Sequence, residues 1–142
     1  MSDSKLYTDR LLSYWDRNLS GWKHEGYTHG ASEVSQLCGD EVEYRLTIRA
    51  DVLEVVDFWA RGCCISECCA AMLAGLAQGK TVEWVRMYTA EDWDQYVNIP
   101  LGESRKRSCM MLALKCLKKA VETVYLGDGH TDPRSGTTGS QP

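Results

Sequence analysis

The sequence predicts a domain that packs a small antiparallel three-stranded sheet with about five helices. Two patterns carry that prediction. Between residues 33 and 60 the chain runs in strand-length segments separated by turns, the clearest of them alternating apolar and polar residues. Over residues 6–20, and again from Ile65 onward, apolar residues recur at helical spacing instead. At 142 residues the chain is long enough to bury a core as one domain without covalent staples.

The first helix, over 6–20, carries Tyr7, Leu11, Tyr14 or Trp15, and Asn18 on one face. Gly21, Gly26 and Gly30 then mark a loop holding His24 and His29, both read as surface residues. A short strand at about Glu33 to Leu37 ends in Cys38-Gly39-Asp40, a turn in which Gly39 can take positive φ and Asp40 can bond nearby backbone. Val42, Tyr44, Leu46 and Ile48 alternate with Glu43, Arg45, Thr47 and Arg49, which predicts a strand with one buried and one wetted face. Ala50-Asp51 turns the chain into a second strand, Val52 to Ala60, so the two form a hairpin that brings Cys38 beside Cys63.

A helix from Ile65 to Gln78 buries Ile65, Cys68 or Cys69, Met72 and Leu76, with Gly79 as its C′ residue. Thr81 caps a further short helix, and Thr89-Ala90-Glu91-Asp92 has the form of a capping box opening another. After the breaks at Pro100 and Gly102, a final helix is expected from Ser104 to Leu126. Its apolar stripe is Cys109, Leu112, Ala113, Cys116, Leu117, Ala120, Val121 and Val124. Residues 1–126 thus read as one domain, and residues 127–142, almost without apolar side chains, as a flexible tail.

A net charge of −4 offers no basic surface for nucleic acid. No apolar run reaches the roughly 18 residues that cross a bilayer, and Met1-Ser2-Asp3-Ser4-Lys5 lacks a signal-peptide core, so a cytoplasmic protein is expected. In that compartment seven cysteines, an odd number, read as reduced thiols rather than disulfides. Cys68, Cys69 and Cys116 fall on helical apolar stripes and read as core.

Cys63 differs. In Gly62-Cys63-Cys64-Ile65-Ser66 it stands where a strand gives way to a helix, and the free N–H groups and positive dipole end of a helix favour a thiolate. A thiolate is both a nucleophile and a soft-metal ligand. Cys38 and Cys109 are its candidate partners, although their separations are too long for a CxxC…CxxC zinc site. Asp40 reads either as a turn residue or as a metal-linked carboxylate. Cys64 reads as a packing residue or a ligand, and Arg105-Lys106-Arg107 as a solvated run or a basic patch beside Cys109.

Cys38-Gly39-Asp40, Gly62-Cys63 with Ile65-Ser66, and basic residues before Cys109 and Leu112 together resemble the iron–sulfur cluster assembly scaffold family of the IscU and NifU N-terminal type, with SufU as a relative. The resemblance runs over about residues 5–125 and includes Leu6-Tyr7, the hairpin and Gly79-Lys80. It implies an α+β fold with three cysteines gathered at one end. Cys38, Cys63 and Cys109 would be the cluster ligands and persulfide acceptors, with Asp40 joining them in metal binding. It also implies a non-enzymatic scaffold that accepts sulfur from a cysteine desulfurase, builds a [2Fe-2S] cluster and passes it to apo iron–sulfur client proteins; a homodimer or higher oligomer is a further expectation. All-thiolate ligation is usual for such clusters, and three sulfurs with one oxygen can also hold Zn²⁺ in the apo form. The alternative reading is a SufU-like zinc-dependent sulfurtransferase that holds no cluster.

Four departures from the family pattern stand out. Ser108 occupies the position of a His or Lys. Ile99-Pro100-Leu101-Gly102-Glu103 replaces a Leu-Pro-Pro-Val-Lys segment recognised by a chaperone. The insertion before the last cysteine that marks SufU-type zinc proteins is absent, and Cys64, Cys68 and Cys69 are thiols beyond the family's need.

Overall fold

The computed structural model describes residues 13–14, 19–36, 39–98 and 104–125, the side chains of 104–106 excepted. Strands β1 (His29–Val34), β2 (Glu41–Arg49) and β3 (Val52–Arg61) form one antiparallel sheet in the order β1-β2-β3. Helices α1 (Cys64–Ala77), α2 (Val82–Met87), α3 (Ala90–Val97) and α4 (Ser104–Ala120) follow. This is the expected α+β architecture, with four helices among the described residues. The helix expected over 6–20 lies almost wholly outside them, as do Cys38 and the tail expected over 127–142.

The β2–β3 hairpin closes through Ala50 and Asp51, both at positive φ (51° and 65°), as a two-residue type I′ loop demands. One residue of β3 is then bulged, so the register shifts between Thr47 and Ile48. The capping box at Thr89 is present: its side chain accepts from the Asp92 N–H, and Asp92 accepts from the Thr89 N–H. Gly79 follows α1 at φ 92°, the left-handed conformation expected of a C′ glycine.

Helices α1 and α4 lie against each other and over one face of the sheet. Val42, Tyr44, Leu46, Leu53, Ile65, Met72, Leu73, Met110 and Leu117 are fully enclosed between them. The α1 stripe is wider than periodicity suggested, for Cys68 to Ala74 are all buried, because the helix is covered by β3 on one side and α4 on the other. Tyr44 ties the layers by donating its hydroxyl to the Ala70 carbonyl at 2.7 Å. No helix among the described residues is long and apolar enough to cross a membrane.

Three expectations are corrected. The first strand runs over His29–Val34, not 33–37. Gly30, read as a loop breaker, is a strand residue paired with Arg45, at a position where a Cβ would sit 3.0 Å from the Tyr44 carbonyl oxygen. The second face of β2 is not wetted. Glu43, Arg45 and Thr47 are buried, and so is Asp57, which pairs with Arg45 across the ladder. Arg45 bonds Glu43 at 3.0 Å and lies 4.0 Å from the Trp22 ring centroid and 5.1 Å from that of Tyr125, so aromatic side chains from both ends of the described chain roof it. The last helix stops at Ala120 rather than 126, and Val124 is exposed. The chain instead pairs with the sheet edge, with Gly30 N–H donating to Thr123 O and Tyr125 N–H to Thr28 O.

Asp57 anchors the roof. Burial raises its carboxyl, but hydrogen bonds from Tyr27 (2.6 Å), His24 (3.0 Å) and the Lys23 N–H (2.9 Å) outweigh this and hold it below its ordinary value. A carboxyl depressed in the folded state stabilises above its unfolded value, about pH 3.9, and loses that contribution as pH falls through the folded value. Asp57→Asn is expected to flatten the acid limb of stability against pH below about pH 4, measured by urea unfolding at stepped pH; an unchanged limb would contradict the assignment. Ala50→Asn, placing a residue that tolerates positive φ in the hairpin, is expected to raise stability by several tenths of a kcal/mol to about 1 kcal/mol in urea unfolding at neutral pH.

Candidate functional site

The site forms where the turn before β2, the end of β3, and the starts of α1 and α4 meet. The turn is closed by its own backbone: Gly39 N–H donates to Ser35 O and Ser35 N–H to Asp40 O, both at 2.8 Å, with Gly39 at φ 74°. Closure by the main chain lets the Asp40 side chain, buried at 4% exposure, reach the N-terminus of α1. There its Oδ1 accepts from the Cys63 N–H at 3.3 Å and its Oδ2 from the Ser66 hydroxyl at 2.6 Å. The Cys109 thiol donates to the same Oδ2 at 3.4 Å from the first half of α4.

Cys63 is the N-cap residue of α1, in extended conformation (φ −73°, ψ 164°), with no side-chain capping bond. The carboxylate of Asp40 takes over that role from outside, receiving one of the orphan N–H groups of the helix start. The Cys63 Sγ lies 3.6 Å from the Ser66 hydroxyl. The ligand atoms of Asp40, Cys63 and Cys109 all lie within 4.8 Å of one another, Cys63 half-buried and the other two buried. Two soft sulfurs and one hard oxygen at that spacing suit a tetrahedral Zn²⁺ or an iron ion.

The structure thus brings together three of the four residues singled out from sequence, and the fourth, Cys38, lies outside the described residues. Cys64 is not in this group. Its sulfur faces that of Cys68 at 3.6 Å. Cys68 and Cys69 are fully buried, and burial, with neighbouring sulfurs adding to it, pushes both thiols well above their ordinary value. Cys116 is core: burial raises it to about 12, and its sulfur lies 3.3 Å from the carbonyl oxygens of Ala31 and Val42. Ser108 is half-exposed one residue before Cys109.

Two residues of the Gly62–Ser66 stretch have roles that the sequence does not show. Ser66 is fully buried and holds the carboxylate; the available signal was a hydroxyl one turn after Cys63, at the start of the helix. Gly62, at φ 149°, leaves room for Asp40, since a Cβ there would collide with the carboxylate.

Residues 7–128 match the NifU-like N terminal domain family. The chain belongs to that family. Two relatives from Archaeoglobus fulgidus, the iron–sulfur cluster assembly scaffold proteins IscU 1 and IscU 2, are each 22% identical over 129 residues, which is 89% of this chain and 82% of theirs. The fold is shared with a NifU-like N-terminal protein from Brucella abortus (TM-score 0.67, 17% identity, 84% of this chain and 94% of that one). A protein from Fervidobacterium islandicum described as a scaffold candidate for the SUF system also shares the fold (TM-score 0.64, 20% identity, 84% of this chain and 99% of that one).

Gly62→Ala is expected to displace the Asp40 carboxylate and lower stability by roughly 1–3 kcal/mol in urea unfolding, since both the collision and the positive φ oppose a side chain. An unchanged unfolding midpoint would mean that the carboxylate is not held where the structure has it.

Proposed function

We propose that this protein is a scaffold for assembling and transferring [2Fe-2S] clusters, accepting persulfide sulfur from a cysteine desulfurase. The observation that carries the reading is the juxtaposition of Cys63, Cys109 and the Asp40 carboxylate, within 4.8 Å, in a chain of the NifU-like N-terminal family. Cys38, Cys63 and Cys109 are the proposed sulfur ligands, and Asp40 the carboxylate that shares the metal. Iron is cargo here. Thiolates bind it well. Hydrogen bonds that already engage both Asp40 oxygens make the carboxylate a weaker partner, which suits a cluster meant to leave.

Zn²⁺ fits the same donors in the absence of iron, and the residues that would hold it are Asp40, Cys63 and Cys109. Bound there, it would keep the thiolates deprotonated and ordered. The proposed partners are a cysteine desulfurase and apo iron–sulfur client proteins, and the proposed setting is the cytoplasm.

Anaerobic reconstitution with ferrous iron, cysteine and a desulfurase tests the reading. A visible [2Fe-2S] absorption spectrum and transfer to an apo-ferredoxin are expected. Tight stoichiometric zinc, no cluster, and stimulation of desulfurase turnover alone would replace the scaffold by a zinc-dependent sulfurtransferase. Within the reconstituted protein, Cys63→Ala is expected to abolish cluster retention. Cys116→Ala is expected to keep the cluster while costing roughly 1 kcal/mol of stability, because it opens only a small void in the core. Equal loss of cluster in both folded variants would overturn this partition of the thiols.

A further inference from the structure

The thiols of Cys64 and Cys68 belong to no part of the site just described, yet they sit directly behind it. Cys64 is the first residue of α1 and half-buried; Cys68, one turn later, is fully buried beneath it, and the two sulfurs are 3.6 Å apart. Cα atoms one turn apart lie about 6 Å from each other, inside the roughly 4.4–6.8 Å that a disulfide spans. Their Cβ atoms, about 5–6 Å apart, exceed the roughly 3.5–4.5 Å it needs, so the bond forms only if the turn opens. The pair opens the helix, where the first N–H groups have no intrahelical acceptor and the turn adjusts most readily. Neither sulfur lies among the ligand atoms gathered around Asp40.

We propose that Cys64 and Cys68 are an internal two-electron reductant that releases persulfide sulfur as sulfide beside the assembly site. The inference rests on the reading of the chain as a persulfide acceptor. A persulfide carries its outer sulfur two electrons short of the sulfide that a cluster contains, so a scaffold charged with persulfide needs a source of those electrons. With the outer sulfur on Cys64, Cys68 Sγ attacks Cys64 Sγ. The new bond is Cys64–S–S–Cys68; the bond that breaks is the one to the outer sulfur, which leaves with the electron pair as hydrosulfide and takes the proton lost by Cys68. One persulfide and one thiol become one disulfide and one hydrogen sulfide. The dithiol loses the two electrons that the outer sulfur gains.

Burial keeps the Cys68 thiol protonated at rest, so proximity and not acidity must make it the attacking group. A reacting sulfur held 3.6 Å away gives that advantage, because positioned intramolecular groups act at effective concentrations far above any free thiol. Its half-exposed partner is the position at which an external sulfur donor can load the pair.

The test uses reduced, iron-free full-length protein, charged anaerobically with inorganic polysulfide and desalted. The wild type is expected to release about one equivalent of sulfide per chain without added reductant, leaving a disulfide that peptide mapping places between Cys64 and Cys68. Cys68→Ala and Cys68→Ser are expected to retain the added sulfur by intact mass and to release sulfide at least about tenfold more slowly. Cys64→Ser, at the less buried position, is expected to abolish the disulfide and so serves even if the Cys68 variants fold poorly. Sulfide release at the wild-type rate from these variants, or a disulfide joining other cysteines, would overturn the proposal. Reconstitution from ferrous iron and inorganic sulfide, which needs no persulfide, separates the two readings. Cluster formation there by the Cys68 variants leaves the scaffold intact whatever the dithiol does, and its failure in the wild type would remove the scaffold instead.

Discussion

A buried carboxylate is the constraint on which the functional end of this molecule depends. Asp40 is almost inaccessible, and an acid in that position must find donors or destabilise the fold by several kcal/mol. Its donors come from two places far apart in the chain: the first turn of α1, through the Cys63 N–H and Ser66 hydroxyl, and α4, through the Cys109 thiol. Satisfying Asp40 therefore fixes the starts of two helices against the mouth of the hairpin. The spacing of Cys63 and Cys109 is a consequence of that network and not a separate feature. Gly62 completes it, since the approach of the carboxylate to the backbone leaves no space for a Cβ.

Depth sorts the thiols. Cys68, Cys69 and Cys116 are all enclosed with raised thiols and at rest behave as small apolar groups, Cys116 lying against the Ala31 and Val42 carbonyls. What sets Cys68 apart is the Cys64 sulfur 3.6 Å away. Cys63 and Cys64 stand half-buried at the helix start, where reagents can reach them. Although adjacent in sequence, they face different partners, one Ser66 and the other Cys68. A helix turns about 100° per residue, so neighbouring side chains at its start necessarily serve two different surroundings. This is why Cys64 is not among the ligand atoms gathered around Asp40.

What could be read from the sequence was what local chemistry decides. The hairpin followed from alternation and a two-residue turn, the capping box from its residue pattern, and the end of α1 from Gly79. The readings that failed depended on contacts between distant segments. Arg45 and Glu43 look like a solvated strand face until Trp22 and Tyr125, more than a hundred residues apart in the chain, close over them. The last helix ends early because Thr123 and Tyr125 pair with the strand edge, an option invisible to helical periodicity. The same division holds at the site. Cys63, Cys109 and Asp40 were legible through short motifs, whereas Ser66 and Gly62 acquire their roles only from what the fold sets beside them.

The two proposals draw on one physical contrast. Around Asp40, polar groups are pre-engaged: each oxygen already accepts a hydrogen bond before any metal arrives, so binding iron there means exchanging interactions and not filling an empty cage. Cys68 is enclosed in the core, and its sulfur lies 3.6 Å from that of half-buried Cys64. An apolar setting disfavours holding a charged metal thiolate but tolerates a neutral disulfide, because burial penalises only the charged form. On the two proposals, the polar pocket handles ions and the partly enclosed thiol pair handles electrons. Both meet at the start of the same helix, through Cys63 and Cys64 adjacent in the chain, so sulfide released by the pair would emerge beside the place where iron would be held.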